Sequence, residues 1–173
     1  MTVQANEPSA LTTLLETAPQ DSTHSADYRN LTLQIQHNLQ YQHQWTDLKL
    51  HTHSPVTNAA LPRPLLSGLP PKRLYVHPDE QIAIIKERKA AGQSQSLLDL
   101  PPEREWVLPS HLQEKWSLRR MAEVFDGIGV LPPGQSERNQ WRTLKRVVLA
   151  TLDDDSTVVY YIVHDGLVKP RQN

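Results

Sequence analysis

The stretch from Arg146 to Lys169, RVVLATLDDDSTVVYYIVHDGLVK, constrains the fold more than any other part of the chain. Two dense runs of β-branched and aromatic residues flank a short acidic segment, a pattern that predicts a hairpin. Successive strand side chains alternate faces, so Val158, Tyr160 and Ile162 share one side and Thr157, Val159, Tyr161 and Val163 the other. The first run divides likewise into Val148, Ala150 and Leu152 against Val147, Leu149 and Thr151. Both runs are apolar on both faces, which predicts a buried hairpin, set in a covered sheet or against another chain. Asp153, Asp154, Asp155 and Ser156 supply the turn, since their short side chains bond nearby backbone. Three adjacent carboxylates repel one another unless water, a metal or basic groups screen them, and a solvated turn is the simplest reading. Gly166, after His164 and Asp165, permits the positive φ that ends the run.

A chain of 173 residues holds one domain with a real core and is short for two. Only 38% of it is hydrophobic and it carries 14 prolines, so loops and tails surround that core. A formal net charge of -1 gives no global sign of nucleic-acid binding. The absence of cysteine excludes disulfides and thiolate metal sites and makes an intracellular setting the default. The opening residues lack the basic start and apolar run of a secretory signal, and no apolar run is long enough to span a bilayer.

Taken in order, residues 1–24 read as a disordered tail with a helical patch from Ala10 to Leu15. Residues 25–44 read as a helix capped by Ser25, with Tyr28, Leu31, Ile35 and Leu39 on its apolar face. Residues 45–53 read as an edge-like strand, with Leu48 and Leu50 inward and Asp47, Lys49, His51 and His53 outward. The prolines at 55, 62, 64, 70 and 71 predict a loop insertion over 54–71. A short strand over 72–77 and a helix over 80–91 follow, the helix using Ile82 and Ile85 as apolar contacts. A second loop insertion over 92–105 precedes an extended piece at Trp106, Val107 and Leu108. Ser117 then caps a helix with Leu118, Met121, Ala122, Phe125 and Ile128 at helical spacing, and residues 129–142 form a third loop. Residues 25–170 thus form a single domain.

Three constellations bear on chemistry. His51 and His53 share a strand face near His43, a geometry zinc accepts, but no third ligand stands at a suitable spacing and no metal is expected. Tyr160, Tyr161, His164 and Lys169 are the residue types of a metal-independent ribonuclease, yet Tyr160 and His164 fall on a predicted core face where packing is the simpler role. Arg138, Trp141, Arg142 and Lys145, with Arg146, form a basic and aromatic cluster of the kind that touches RNA, although a solvated strand edge also fits.

The segments WVLPSHLQEKWSLRRMAEVF and LATLDDDSTVVYYIVHDGLVKP resemble the small non-catalytic subunit of the eukaryotic tRNA-splicing endonuclease, in its fungal form. DSTVVYY followed by Asp165 and Gly166 is the most specific part, and the match runs from about Trp106 to Pro170. The resemblance implies an α/β (α+β) fold, a mixed, mainly antiparallel sheet with flanking helices like the C-terminal domain of tRNA-intron endonucleases. It also implies a structural role without catalysis or cofactor, in a four-subunit enzyme that removes introns from precursor tRNA. Active subunits of that family carry a Tyr/His/Lys triad that has no placed counterpart here. Family members pair through C-terminal strands and dock an acidic loop into a partner, which makes Asp153, Asp154, Asp155, Val159, Tyr160, Tyr161 and Val163 candidate interface residues. The implied partners are the catalytic and structural subunits, with precursor tRNA met through the complex. A homodimer of the isolated chain is the further expectation. The implied location is the nucleus, with the cytosolic face of mitochondria as the alternative. An active ribonuclease and a free-standing RNA-binding or scaffold module remain the rival readings.

Overall fold

The computed structural model describes residues 9–17, 24–92, 100–135 and 139–168. Four helices, α1 (Ala10–Thr17), α2 (Ala26–Tyr41), α3 (Pro78–Ala90) and α4 (Leu118–Asp126), accompany five strands: β1 (Thr46–His53), β2 (Ala60–Leu69), β3 (Glu105–His111), β4 (Arg146–Leu152) and β5 (Val158–His164). The strands form one sheet in sequence order, antiparallel except for the parallel β3–β4 pair, so the expected mixed, mainly antiparallel sheet with flanking helices is what the chain forms.

Helices cover both faces of the sheet centre, which is why β3 and β4 are apolar on both sides. On one face Leu31, Ile35 and Leu39 of α2, spaced four apart, pack with Trp45, Leu66, Val107, Val148 and Ala150. On the other, Val124 and Phe125 of α4 pack with Ile128, Leu61, Leu65, Trp106, Leu108 and Val147. Leu65, Leu66 and Trp106 are fully buried; each such side chain contributes roughly 1.5–3 kcal/mol of burial. The Ser25 and Ser117 hydroxyls cap α2 and α4 by accepting from the N–H groups of Tyr28 and Arg120, as the sequence indicates.

Several expectations are corrected. The proline-rich 54–71 segment is no loop: its second half is β2, a sheet-interior strand. Ser67 and Leu66 pair with both β1 and β3, whereas Pro62 and Pro64 lie between Ala60 and Leu65, where the pairing with β1 loses its regular register. Prolines donate nothing to a ladder, and this irregular stretch asks nothing of them. Residues 72–77 pair with no strand; instead Tyr75 lies against His164, ring centroids 4.7 Å apart. In α3, Ile82 and Ile85 are exposed, and the helix is held through buried Glu80, which accepts from Arg73 and Asn139. Leu118 of α4 is exposed as well, and α2 stops at Tyr41 rather than at residue 44. On β1 an irregularity near Asp47 exposes Leu50 and turns His51 inward against Trp106. Of the residues between α3 and β3, 93–99 lie outside the described residues, as do 1–8 and 18–23 of the tail. The helical patch in that tail appears as α1.

Candidate functional site

The two outer strands of the sheet have opposite characters. β1 is polar, its register with β2 shifts twice, and Asp47 takes a positive φ of 48°. Arg104, from the segment before β3, binds both the carboxylate and the main-chain oxygen of Asp47. Bulges, charge and a covering side chain are the devices that keep an edge from accepting another strand. β5 has none of them. It pairs with β4 residue for residue from Arg146↔His164 to Leu152↔Val158 without a shift, and no charged residue falls between Val158 and Val163.

The predicted hairpin forms as β4 and β5 paired antiparallel, with β4 buried and β5 covered only in part. Val158 and Tyr160 lean on the α2 side of the core and Val163 on the α4 side. Val159 is 43% exposed, Tyr161 56% and Ile162 37%. The helices reach β5 only at some positions, through the core packing of Val158, Tyr160 and Val163, and leave Val159, Tyr161 and Ile162 open. Tyr160 is fixed rather than exposed: its hydroxyl donates to Asn38 Oδ1, its ring meets His43 edge-on, and burial pushes its phenol above the usual range.

The acidic turn is explained by local bonding. Asp153 Oδ1 accepts from the N–H of Asp154 at 2.7 Å, and Asp155 Oδ1 accepts from that of Thr157 at 2.8 Å. The Thr157 N–H holds the Asp155 carboxyl below its usual range. Asp154 meets His111 Nε2 at 3.1 Å, linking the turn to the end of β3. Ser156 takes the positive φ of 69° that closes the turn.

The basic cluster is redirected inward. Arg142 and Arg146 are 2% and 5% exposed and bind Glu103 and Glu105, which Arg73, Asn139 and Glu80 join. Burial acts to raise the Glu103 carboxyl, but the Asn139 amide and the Arg146 and Arg73 charges outweigh it and hold the group below its usual range. Lys145 Nζ donates to the main-chain oxygen of Phe125 at 2.7 Å. Trp141 lies parallel to His77, while Arg138 is outside the described residues. This network was missed in the sequence, where its signal was Glu103-Arg104-Glu105 directly before one buried strand and Arg142 to Arg146 directly before another. Parallel pairing of Trp106 with Val147 brings the two charge sets level.

The histidines do not converge. His51 Nε2 lies 2.8 Å from Ser67 Oγ, and burial, reinforced by Lys49, holds its ring below the usual range. His53 bonds Thr52, and His43 meets Tyr160. Among the described residues no group of three or more potential ligands could hold a metal, and no helix is long and apolar enough to cross a membrane.

Comparison with known proteins matches residues 34–173 to the Sen15 protein family. The chain is 51% identical over 154 residues to the probable tRNA-splicing endonuclease subunit tsp-1 of Neurospora crassa, covering 83% of this chain and 66% of that relative. It is 30% identical over 148 residues to the probable tRNA-splicing endonuclease subunit sen15 of Schizosaccharomyces pombe, covering 84% and 85% of the two chains. A third relative, the tRNA-splicing endonuclease subunit SEN15 of Eremothecium gossypii, is 31% identical over 143 residues, covering 83% of this chain and 91% of its own.

Proposed function

The chain belongs to the Sen15 family, and from that premise we propose that it is a non-catalytic subunit of a tRNA-splicing endonuclease, joined to a neighbouring subunit through β5. The observation that carries this reading is the contrast between the two edges: β1 is bulged, charged and covered, while β5 is regular, apolar and open. Strand addition there continues the sheet with main-chain hydrogen bonds and covers Val159, Tyr161 and Ile162. The absence of catalysis is supported by the fate of the ribonuclease-like residues. Tyr160 and His164 are separated by four residues of extended chain, about 13 Å at the rise of a strand, and Tyr160 is committed to Asn38.

Val159→Lys and Tyr161→Lys test the interface. Both positions are exposed in the single chain, so each substitution changes the stability of the isolated protein by about 0.5 kcal/mol or less. Co-purification with the other subunits is expected to fall sharply, because a bare charge enters an apolar contact. Wild-type recovery of the complex by variants that melt normally sinks the β5 assignment. In a separate assay, the purified chain is expected to leave intron-containing precursor tRNA intact, and cleavage that disappears with His164→Ala establishes the active-ribonuclease alternative.

A further inference from the structure

The main-chain bonds around β5 show which of its groups the sheet leaves unused. The Asp153 N–H donates to the Thr157 oxygen and the Asp165 N–H to the Lys145 oxygen, both at 2.9 Å. The odd-numbered residues of β4 and β5 therefore form the hydrogen-bonded pairs of their antiparallel ladder. The even-numbered pairs, from Leu152↔Val158 to Arg146↔His164, are the alternate kind, whose N–H and C=O groups point away from each other. The Leu152 oxygen agrees, since it accepts from Leu112 on the β3 side. On β5 the outward groups belong to Val158, Tyr160, Ile162 and His164, and among the described residues no strand lies beyond β5 to take them. Tyr160 stands midway between Val158 and Ile162, and its side chain turns back to the C-terminal end of α2. Its hydroxyl donates to Asn38 Oδ1 at 2.5 Å, and the Asn38 amide donates to Gln42 Oε1 at 2.9 Å. The Gln42 N–H bonds the Asn38 main-chain oxygen, so Asn38 is itself held, and the His43 ring meets the phenol edge-on at 5.0 Å.

We propose that Tyr160 is a positioning residue for the docking edge: tied to Asn38, it holds β5 in line so that the free main-chain groups of Val158, Tyr160 and Ile162 stand ready for an incoming strand. The inference rests on the reading of β5 as the interface with a neighbouring subunit. An edge strand is bonded on one side only, and segments with few buried contacts are the ones that open locally. Opening of β5 lowers the fraction of chains able to pair, and the apparent affinity falls by that fraction. A bond that keeps the strand in place raises affinity without touching the partner. Apolar packing at Val158 and Val163 secures the two ends of β5, and Tyr160 supplies a polar tie between them. Burial pushes its phenol above the usual range, so the hydroxyl keeps its proton and remains a donor at neutral pH. Tyr161, 56% exposed on the opposite face, is left to contact the partner directly.

Tyr160→Phe keeps the ring and its packing while removing the bond. Titrated as the full chain against the endonuclease subunits that co-purify with the wild type, it is expected to bind about fivefold more weakly, the loss of one hydrogen bond in a pre-set strand. Backbone order parameters of β5 in the isolated monomeric variant are expected to drop below about 0.6 while β4 stays near about 0.85. Asn38→Leu is expected to reproduce both effects. Asn38→Asp is expected to restore wild-type affinity, because a carboxylate oxygen still accepts from the hydroxyl and the Gln42 amide turns to donate. Ser117→Ala lowers stability to a similar degree by removing the cap of α4, away from β5, and is expected to leave affinity unchanged. If Tyr160→Phe binds as the wild type does, or Ser117→Ala weakens binding as much, the bond serves stability alone and the positioning role is overturned. Failure of Asn38→Asp to improve on Asn38→Leu has the same meaning. Ile162→Pro checks the ladder itself, since it removes an outward N–H: the chain is expected to melt normally and to lose the complex. Early melting, or full recovery of the complex, overturns the placement of the free groups. Should Val159→Lys leave the complex intact, the β5 interface itself is refuted; should it break the complex while Tyr160→Phe does not, only the positioning role falls.

Discussion

Glu105 is 1% exposed and shares its two oxygens between Arg142 and Arg146. Removing it leaves two guanidiniums inside the protein with only Glu103 to balance them, so Glu105→Gln is expected to cost about 3–5 kcal/mol. Urea denaturation reads this directly. Arg119→Ala is the control: its pair with Glu123 lies on an open helix face, where such pairs are worth about 0.5 kcal/mol or less. The same residues set a pH dependence. Glu103 and Glu114 are held below the ordinary 4.5, Glu114 because Arg63, Arg120 and Ser110 outweigh a burial effect of opposite sign. Their contribution is fully present above the unfolded value and is lost as pH falls through the folded one. His51 and His164 are also held low, so as pH drops below 6.5 the unfolded chain takes up their protons first. Stability is therefore expected to decline from about pH 6.5 and again below about 4.5, and Glu103→Gln should flatten the second limb. Residues whose role is local were legible in the sequence: Ser25 and Ser117 announce helix starts by type and position. Glu105 was not, because its partners lie about forty residues away and meet it through pairing.

Alternation of apolar residues located β3, β4 and β5 but could not say how much of each is covered. Cover depends on how far the helices reach, and at β5 they cover Val158, Tyr160 and Val163 but leave Val159, Tyr161 and Ile162 open. Two identical-looking strand patterns thus produced one buried strand and one open edge. β2 misled for the opposite reason, since its prolines cluster where pairing is irregular while Leu65 to Leu69 run free of them. Its burial makes the correction testable. Leu66→Ala is expected to cost about 2–5 kcal/mol, as truncation in a closed core does, whereas a true loop residue would be near neutral. Ser117→Ala, which removes only the cap of α4, is expected to cost about 1 kcal/mol. Thermal and chemical melts of the two variants side by side separate core from cap.

At the scale of the whole molecule the sheet has a closed side and an open side, and the open side is self-complementary in the sense that one strand edge accepts another. The isolated chain is therefore expected to dimerise with increasing concentration in sedimentation velocity, and Tyr161→Lys to hold it monomeric. A dimer that survives this substitution uses a different surface. One seam has a consequence of another kind. β3 and β4 run parallel, so the chain must traverse residues 112–145, α4 included, before β4 can dock beside β3. Pairings so distant along the chain form slowly, since the intervening loop must close before any contact repays it. During synthesis β1, β2 and β3 emerge with one flank of β3 bare, and only the arrival of β4 seals that flank and creates a support for β5. The open edge of β5 thus comes into being last. A chain in which β4 has not yet docked has no support for β5 and so no open edge to offer another strand.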